Sequence, residues 1–273
     1  MESQICQVHL LGLVEYQQAW ELQERLAREI AAGARPPTLL LLEHPHTFTF
    51  GRGGHAENLL WEQAELEQRG VSLYWVDRGG DVTYHGPGQL VGYPLLPLAP
   101  GGIRPDSPGG LQPDTPGGLK PDPANVSTRI PQADYVGYVR RLEQTLILAL
   151  AGLGVASQQV AGLTGVWAQL GNDLAKVAAI GVKVDAASVS HHGFALNVNP
   201  DMSYWQGIVG CGLEGYAVTS LAELLGDAPA MEAVIEAVML AFGNVYHYEL
   251  VAVDLGASNP AVTMDPKHIT GLV

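Results

Sequence analysis

The segment TGVWAQLGNDLAKVAAIGVKV, residues 164–184, decides the fold. Two apolar runs, TGVWAQL and KVAAIGVKV, stand on either side of GND at positions 171–173. Glycine and asparagine adopt positive φ at little cost, so this spacing predicts a tight hairpin turn between two antiparallel strands. The sheet that contains this hairpin is therefore expected to be antiparallel at least in part.

Short apolar or alternating runs elsewhere predict further strands, namely TLLLLEH, VSLYWVD, LVGYPLL, SVSHHGFALNV and YHYELVAV. Apolar residues at three- and four-residue spacing predict three helices, over 14–32, 132–153 and 229–243. Strands outnumber helices, and neighbouring strands look antiparallel. We therefore expect an α/β (α+β) domain, in which a mixed, largely antiparallel sheet is covered by helices on one face.

Length and composition favour one domain. A chain of 273 residues that is 47% hydrophobic can bury a sizeable core. We expect a single domain over 1–256, followed by a tail at 257–273. The tandem repeat GGIRPDSPGGLQPDTPGGLKPDP, residues 101–123, has one apolar residue in each octapeptide unit. Such a segment cannot form a core, so it is predicted to be a disordered surface loop inserted in the domain.

Charge and cysteine content exclude several classes of function. The chain has 14 Lys plus Arg against 28 Asp plus Glu, a net charge of −14. This charge repels polyphosphates and anionic lipids, which argues against nucleic-acid and membrane partners. Apolar runs fall short of the roughly 20 residues that span a bilayer. Two cysteines, Cys6 and Cys211, are too few for a disulfide framework, so a reducing cytoplasm fits best.

The segment RGGDVTYHGPGQL, residues 78–90, is the richest in groups that can carry chemistry. Its glycines allow the backbone to approach a ligand closely, and Arg78 and His85 supply donors at the rim, so it is interpreted as a ligand-binding loop. A set of bulges and turns in a sheet would use the same glycines, and the glycines do not separate the two interpretations. No GxGxxG or GxxxxGK[ST] pattern is present here, which argues against a nucleotide phosphate cradle.

Two histidine pairs are candidate metal ligands. His191 and His192 are adjacent in a predicted strand, so their side chains are expected on opposite faces, where they cannot bind one metal together. His44 and His46 are expected on one side of the chain, but a third ligand at a diagnostic spacing is missing. We therefore expect no metal site.

Cys211 lies between two glycines in GIVGCGLEGYAVTSL, where the backbone can turn sharply and expose Sγ. A packed, structural thiol is the usual state of free cysteine, and Cys6 in the alternating stretch QICQVHLLG fits it. To act as a nucleophile Cys211 must be a thiolate, and an unperturbed pKa near 8.5 leaves only a few per cent ionised at neutral pH. Lowering the pKa by about two units takes roughly 2.7 kcal/mol from a nearby cation.

The residues alone leave the identity of that cation open among Lys176, Lys183, His85, His191 and His192. Lys176 follows the hairpin turn and leads into an apolar strand. Most lysines in such a place are solvated. A lysine that points inward can instead be tuned as a proton carrier, because burial lowers its pKa and a neighbouring anion raises it.

Five motifs, taken in order, closely resemble the octanoyltransferases, also called lipoate-protein ligase B. They are RGGDVTYHGPGQLVGYPLL, LTGVWAQ, KVAAIGVKV, HHGFALNVNPDMS and GCGLEGYAVTSL, and the resemblance covers roughly residues 10–245 apart from the repeat. It implies the lipoate/biotin protein ligase-like fold. It also implies an acyltransferase that moves an octanoyl group from octanoyl-acyl carrier protein to a specific lysine of a lipoyl domain, through a cysteine thioester.

The resemblance further implies the first step of endogenous protein lipoylation, without ATP, metal or other cofactor. The implied acceptors are the lipoyl domains of 2-oxoacid dehydrogenase complexes and the glycine cleavage H protein. The sequence departs from the family pattern in its repeat and at Ala161, where a proline commonly precedes the GVW strand.

Carried over to this sequence, the resemblance places the nucleophile on Cys211 and the lysine that lowers its pKa on Lys176. The implied acyl-binding residues are Arg78, Gly79, Gly80, Asp81, Val82, Thr83, Tyr84, His85, Ala179, Ile180, Gly181, Gly193, Phe194 and Ala195.

Two other functions remain as alternatives. One is an ATP-dependent lipoate or octanoate ligase of the same fold, which needs no nucleophilic cysteine. The other is a non-catalytic module that binds acyl carriers or lipoyl domains, although such a module has no reason to keep both Cys211 and Lys176. Carrier proteins are typically acidic and this chain is too, so we expect a local positive rim with Arg52 and Arg78 as candidates.

Overall fold

The structure is a computed structural model that describes residues 4–98, 134–210 and 216–253. The predicted repeat at 101–123, the candidate nucleophile Cys211 and the predicted tail at 257–273 lie outside the described residues. The strands are β1 (Gln4–Leu13), β2 (Thr38–Glu43), β3 (Thr47–Phe50), β4 (Ser72–Trp75), β5 (Val82–His85), β6 (Gln89–Leu95), β7 (Ser157–Val160), β8 (Leu163–Leu170), β9 (Asp173–Val184), β10 (Ser190–Asn197), β11 (Ala217–Val218) and β12 (Tyr248–Ala252). The helices are α1 (Tyr16–Ala31), α2 (Gln63–Gln68), α3 (Tyr135–Gly152), α4 (Leu221–Leu225) and α5 (Met231–Tyr246).

Within the described residues, nine strands form a large sheet in the order β12-β1-β2-β6-β10-β9-β8-β7, with β11 paired to β9. The strands from β2 through β6, β10, β9 and β8 to β7 pair antiparallel. The β12–β1, β1–β2 and β11–β9 pairs are parallel. The predicted mixed, largely antiparallel sheet is therefore confirmed.

The predicted hairpin forms between β8 and β9. Leu170 pairs with Asp173, which leaves a two-residue turn, and Gly171 has φ +60°. The three predicted helices correspond to α1, α3 and α5. The start of α3 is fixed by Asp134, whose side chain accepts a hydrogen bond from the Gly137 amide at 2.8 Å.

Helices cover both faces of the large sheet, so the expectation that they cover one face is wrong. Leu39 and Leu41 of β2 pack in one core cluster with residues of α3 and α5. Leu40 and Leu42 pack in a second cluster with Leu26 of α1. Burial on both faces explains why β2 is apolar without a break, because neither set of alternating side chains faces water.

A second sheet of three strands, β4-β3-β5, packs beside the large one. Phe48 and Phe50 of β3 and Val82 and Tyr84 of β5 form a third buried cluster. Sequence periodicity did not predict β1, β3, β5, β7, β11 or the short helices α2 and α4. All of these except β1 are too short to show a clear period. None of the helices in the described ranges is long and apolar enough to cross a membrane.

Candidate active site

A cavity lies where the small sheet meets β9 and β10 of the large sheet. Its volume is about 50 Å³, several times the roughly 10–15 Å³ that a cavity needs to hold one water. The cavity is lined by Tyr16, Arg78, Gly80, Asp81, Thr83, His85, Tyr93, Ala179, Ile180, Gly181, His192, Gly193, Phe194 and Ala195. Three segments that are far apart in sequence thus form one concave wall.

Two of the sequence-predicted segments are direct neighbours in the sheet. Gly181, Ile180 and Ala179 of β9 pair with Gly193, Phe194 and Ala195 of β10, in antiparallel register. A Cβ on Gly193 would lie 2.1 Å from the Gly92 carbonyl oxygen, so only glycine lets β6 and β10 approach this closely here. The hairpin and its neighbouring strand therefore build the apolar side of the cavity.

The third segment enters the cavity through alternate residues of β5. Thr83 and His85 line the cavity, while Val82 and Tyr84 point into the small-sheet cluster. Successive side chains of a strand point to opposite faces, so the two pairs of residues lie on opposite sides of β5. The Gly79 amide donates to the Val182 carbonyl at 2.9 Å, which ties this segment to β9.

Arg78 is buried at 7% exposure, so its predicted place on an exposed positive rim is wrong. Its Nη2 donates to the Thr49 carbonyl oxygen at 2.5 Å and to Thr49 Oγ1 at 2.9 Å, and its Nη1 donates to the Gly79 carbonyl at 3.0 Å. These acceptors turn the guanidinium inward, where it becomes part of the cavity wall. Arg52, the other predicted rim residue, is exposed.

His85 is buried as well, at 6% exposure, rather than at the rim. Burial, together with the nearby His44, holds the pKa of His85 well below its usual value of 6.5, so the imidazole is neutral. Its Nδ1–H donates to Gln89 Oε1 at 2.9 Å. This contact leaves Nε2 as the acceptor, 3.4 Å from Thr49 Oγ1.

A chain of buried hydrogen bonds links this histidine to the strand that carries Lys176. Gln89 Nε2 donates to Asn197 Oδ1 at 2.9 Å, and Asn197 Nδ2 donates to the Thr219 carbonyl at 3.0 Å. The Thr219 amide donates in turn to the Lys176 carbonyl at 3.0 Å. Buried amide side chains with satisfied partners fix the backbone around them, so the cavity wall and the Lys176 strand are held in one register.

Lys176 is buried at 6% exposure rather than solvated. Its Nζ lies 4.8 Å from the centroid of the Trp167 ring, within the range of a cation–π contact. Trp167 is the residue opposite Lys176 on β8. The ammonium group therefore lies against an aromatic face inside the protein.

A β-bulge in β9 determines where Lys176 points. Val166 pairs with Ala178 and Trp167 with Lys176, so Val177 is an extra residue on β9. Val177 and Ala178 both pack in the cluster with α3 and α5. Without the bulge, alternation from Ala178 would send Lys176 into that apolar cluster; the extra residue turns it to the face of Trp167.

Cys211 lies outside the described residues, but both flanks of its segment are described. On one side Val209 donates its amide to the Asn58 carbonyl at 2.9 Å, and the Asn58 side chain donates to Asp81. On the other side the Tyr216 ring lies 5.4 Å from the Trp167 ring, and Val218 pairs with Lys176. The segment thus starts from a contact with the cavity loop and ends beside the Lys176 strand.

The histidines take positions that differ from those expected. His192 has φ +56°, which breaks strand alternation. His191 therefore lies 3.7 Å from Glu24 of α1 and the His192 ring 6.3 Å from Trp20 of α1, so both rings are on the α1 side and not on opposite faces. His192 Nε2 bonds Asp77 Oδ1 at 3.1 Å.

His44 and His46 also separate, although one side was expected. His44 Nε2 accepts from the Tyr93 hydroxyl at 2.7 Å, whereas His46 Nδ1 bonds the Tyr84 hydroxyl at 2.9 Å. Tyr93 and Tyr84 belong to different core clusters, because the chain turns between β2 and β3. Among the described residues, no group of three His, Cys, Asp or Glu side chains has the arrangement of a metal site.

Comparisons with known proteins agree with this architecture. The family model of the lipoyl protein ligase A/B catalytic domain matches residues 15–107 and 120–243. The chain belongs to that family. The unmatched residues between the two ranges fall inside the predicted repeat.

Within the lipoyl protein ligase A/B family, the chain is similar to curated octanoyltransferases. It is 43% identical over 242 residues to the octanoyltransferase of Chloroflexus aurantiacus, covering 89% of this chain and 94% of the relative. It is 44% identical over 229 residues to that of Chloroflexus aggregans, covering 84% and 89%. The chain is accordingly an acyltransferase enzyme, and its general role is octanoyl transfer in protein lipoylation, as the motifs predicted.

Solved structures of the family share the fold. Lipoate-protein ligase A bound with ATP superposes with a TM-score of 0.66 at 14% identity, covering 92% of this chain and 89% of that one. A bi-partite lipoate protein ligase from Thermoplasma acidophilum gives a TM-score of 0.63 at 14% identity, covering 92% and 88%. The expected lipoate ligase-like fold is confirmed.

Several residues of the site were missed by sequence reasoning. Tyr16 and Tyr93 line the cavity beside the predicted residues, and so does His192, which the sequence singled out only as a cation for Cys211 or a metal ligand. Asn197 was missed as well, and with Gln89 of the segment RGGDVTYHGPGQL it connects the cavity to the Lys176 strand. A glycine inside a strand pattern, Gly165 in TGVW, was a usable signal for a nearby bulge or a close approach.

Proposed function

We propose that this chain transfers an octanoyl group from octanoyl-acyl carrier protein to a lysine of lipoyl domains, with Cys211 as the nucleophile and Lys176 as the proton carrier. The observation that carries the proposal is the buried ammonium of Lys176, turned away from the core by a bulge and placed against Trp167. A buried ammonium beside a thiol favours the thiolate, which is the reactive form.

The first half-reaction forms the acyl-enzyme. The Cys211 thiolate attacks the carbonyl carbon of the octanoyl thioester, and the bond between that carbon and the pantetheine sulfur breaks. Lys176 gives its proton to the departing pantetheine thiolate, so that the thiol leaves and Lys176 becomes neutral. Exchange of one thioester for another is nearly thermoneutral.

The second half-reaction forms the product. The neutral amine of the acceptor lysine attacks the acyl-enzyme carbonyl, an amide bond forms, and the bond to Cys211 sulfur breaks. Neutral Lys176 takes the proton that the attacking amine loses. The thiolate and the ammonium are then restored, and amide formation drives the reaction forward.

We assign the acyl chain to the cavity. Ala179, Ile180, Phe194 and Ala195 supply an apolar wall, and the opposite wall carries Arg78, Thr83 and His85. Such a division suits a ligand with an alkyl chain and one polar carbonyl, because apolar lining with few polar groups is the usual composition of a small-molecule site. Of the implied acyl-binding residues, Gly79, Val82 and Tyr84 would act by holding this wall in place.

The proposed acceptors are the lipoyl domains of 2-oxoacid dehydrogenase complexes and the glycine cleavage H protein, and the proposed location is the cytoplasm. The archaeal lipoylation system of Thermoplasma acidophilum, a bi-partite lipoate protein ligase and its E2 lipoyl domain, supports acceptors of this kind. Arg52 is an exposed cation suited to contact with an acidic carrier. It lies at the cavity loop, because its amide donates to the Arg78 carbonyl at 2.9 Å.

Intact-mass spectrometry after incubation with octanoyl-acyl carrier protein, without ATP, tests this function. The wild type is expected to gain one hydroxylamine-labile octanoyl group, and Cys211→Ser is expected to gain none. Cys6→Ser is the matched control and should acylate normally, because burial raises the pKa of the Cys6 thiol to about 12.

Two other outcomes would replace the proposal. Acyl transfer to a lipoyl domain that appears only with ATP and survives Cys211→Ser would identify an ATP-dependent ligase. Binding of either carrier without transfer under any condition would identify a non-catalytic binding module.

A further inference from the structure

We infer that Glu143 of α3 is a positioning residue for Lys176, acting through the backbone of Gly165 on β8. The inference rests on the proposed role of Lys176. Glu143 is fully buried, at 0% exposure, and its two carboxylate oxygens have different partners. Oε1 accepts from the Gly165 amide at 3.0 Å, and Oε2 accepts from Arg140 Nη1 at 2.6 Å.

Gly165 lies beside the side chain of Lys176, with no room to spare for a side chain of its own. A Cβ built on Gly165 would lie 3.4 Å from both Cδ and Cε of Lys176, and 2.6 Å from the Ala178 carbonyl oxygen. Its φ of +118° is a conformation that residues with side chains rarely adopt. The backbone at Gly165 therefore forms a wall beside the aliphatic part of the lysine side chain.

The hydrogen bond from Glu143 holds that wall in place. Gly165 precedes the point where β8 passes the β9 bulge, so its amide is next to an interrupted part of the ladder. A carboxylate accepting from a backbone amide makes a charge-assisted hydrogen bond, which is stronger than a neutral one. Glu143 thus supports Gly165 from the α3 side, while Lys176 and Trp167 lie on the other side of the sheet.

A purely structural role does not require a carboxylate at this position. Burying a charge is costly, and an apolar residue of similar volume often replaces a buried ion pair without loss of stability. The carboxylate instead fixes one backbone amide whose displacement would move the lysine. The attraction between the Lys176 ammonium and the Cys211 thiolate weakens with distance. Increasing their separation from about 4 Å by about 1 Å would raise the pKa of the thiol by roughly half a unit.

The test compares two conservative variants of Glu143, one that changes the charge of the side chain and one that changes its length. Glu143→Gln keeps an acceptor oxygen at the same reach and loses the charge. Glu143→Asp keeps the charge and draws the carboxylate back by about 1.5 Å. The readout is the pH midpoint of iodoacetamide alkylation at Cys211, followed by intact mass, and Cys6 is silent because burial raises its pKa to about 12.

We expect Glu143→Asp to raise the midpoint by about half a pH unit and to slow acylation about tenfold. Glu143→Gln keeps a weaker acceptor in reach and should raise the midpoint by less than Glu143→Asp, and Arg140→Met should keep the wild-type midpoint. An unchanged midpoint in Glu143→Asp, or an equal shift in all three variants, would overturn the inference. Lys176→Met should raise the midpoint more than Glu143→Asp does. If Lys176→Met leaves the midpoint unchanged, the proposed role of Lys176 fails. If Lys176→Met raises the midpoint and Glu143→Asp does not, only the positioning role of Glu143 fails.

Discussion

Replacing Gly165 with alanine should lower both the stability of the fold and the rate of acylation. Two causes act on stability, backbone strain and steric overlap. The φ of +118° costs a residue with a side chain about 1–3 kcal/mol. The added Cβ would also lie 2.6 Å from the Ala178 carbonyl oxygen, and relieving such an overlap costs about 1–3 kcal/mol more. We therefore expect Gly165→Ala to lower the free energy of unfolding by roughly 2–6 kcal/mol.

Gly162→Ala is the matched control. Gly162 also has a positive φ, +82°, but a Cβ there would have no atom of the described residues within 4 Å. It should cost about 1–2 kcal/mol, the strain of the left-handed region alone. Urea titration at 25 °C gives both free energies of unfolding, and the difference between the two variants reports the overlap together with any difference in backbone strain between φ +118° and φ +82°.

The same pair of variants bears on catalysis. Relieving the 2.6 Å overlap with the Ala178 carbonyl oxygen must shift β8 against β9, where the added methyl group would already touch Cδ and Cε of Lys176 at 3.4 Å; the folded fraction of Gly165→Ala should therefore acylate slowly, whereas Gly162→Ala should match the wild type. Equal losses of stability in the two variants would refute the close approach of β8 and β9. A folded Gly165→Ala enzyme with the wild-type rate would refute the link between Gly165 and Lys176.

Three further perturbations test other parts of the site. Arg52→Glu should slow acylation by octanoyl-acyl carrier protein, more at low than at high ionic strength, whereas Arg28→Glu on the exposed face of α1 should not; equal rates in stopped-flow assays would remove Arg52 from docking. Gly181→Ala places a Cβ 3.0 Å from the Gly79 carbonyl oxygen, so we expect a rise in KM for the acyl donor; Gly152→Ala should not cause it, because a Cβ there has no described atom within 4 Å. The hydrogen bond from His192 lowers the pKa of Asp77, so the stability that this carboxylate contributes is present above about pH 4 and is lost as the pH falls below it. The gap in unfolding free energy between wild type and Asp77→Asn should therefore narrow in urea titrations from pH 7 to pH 3, and a gap that stays constant would contradict this assignment.

Much of the fold could be predicted from the sequence, because long periodic segments decide their own structure. The hairpin at 171–173 and the helices α1, α3 and α5 follow from turn chemistry and apolar spacing. The covering of both faces was missed, although the unbroken apolar run of β2 carried the signal. Short strands such as β3 and β5 escaped because four residues are too few to show a period, and their neighbours in the small sheet come from distant segments.

The site was harder to predict because its geometry depends on departures from periodicity. Alternation counted along β9 from Ala178 would send Lys176 toward α3 and α5, and one extra residue, Val177, reverses that direction. The left-handed φ of His192 likewise brings two adjacent imidazoles to one side of the sheet. A sequence pattern with a period of two does not show where a β-bulge inserts an extra residue. In the strand of Lys176, the proposed chemistry depends on such a bulge.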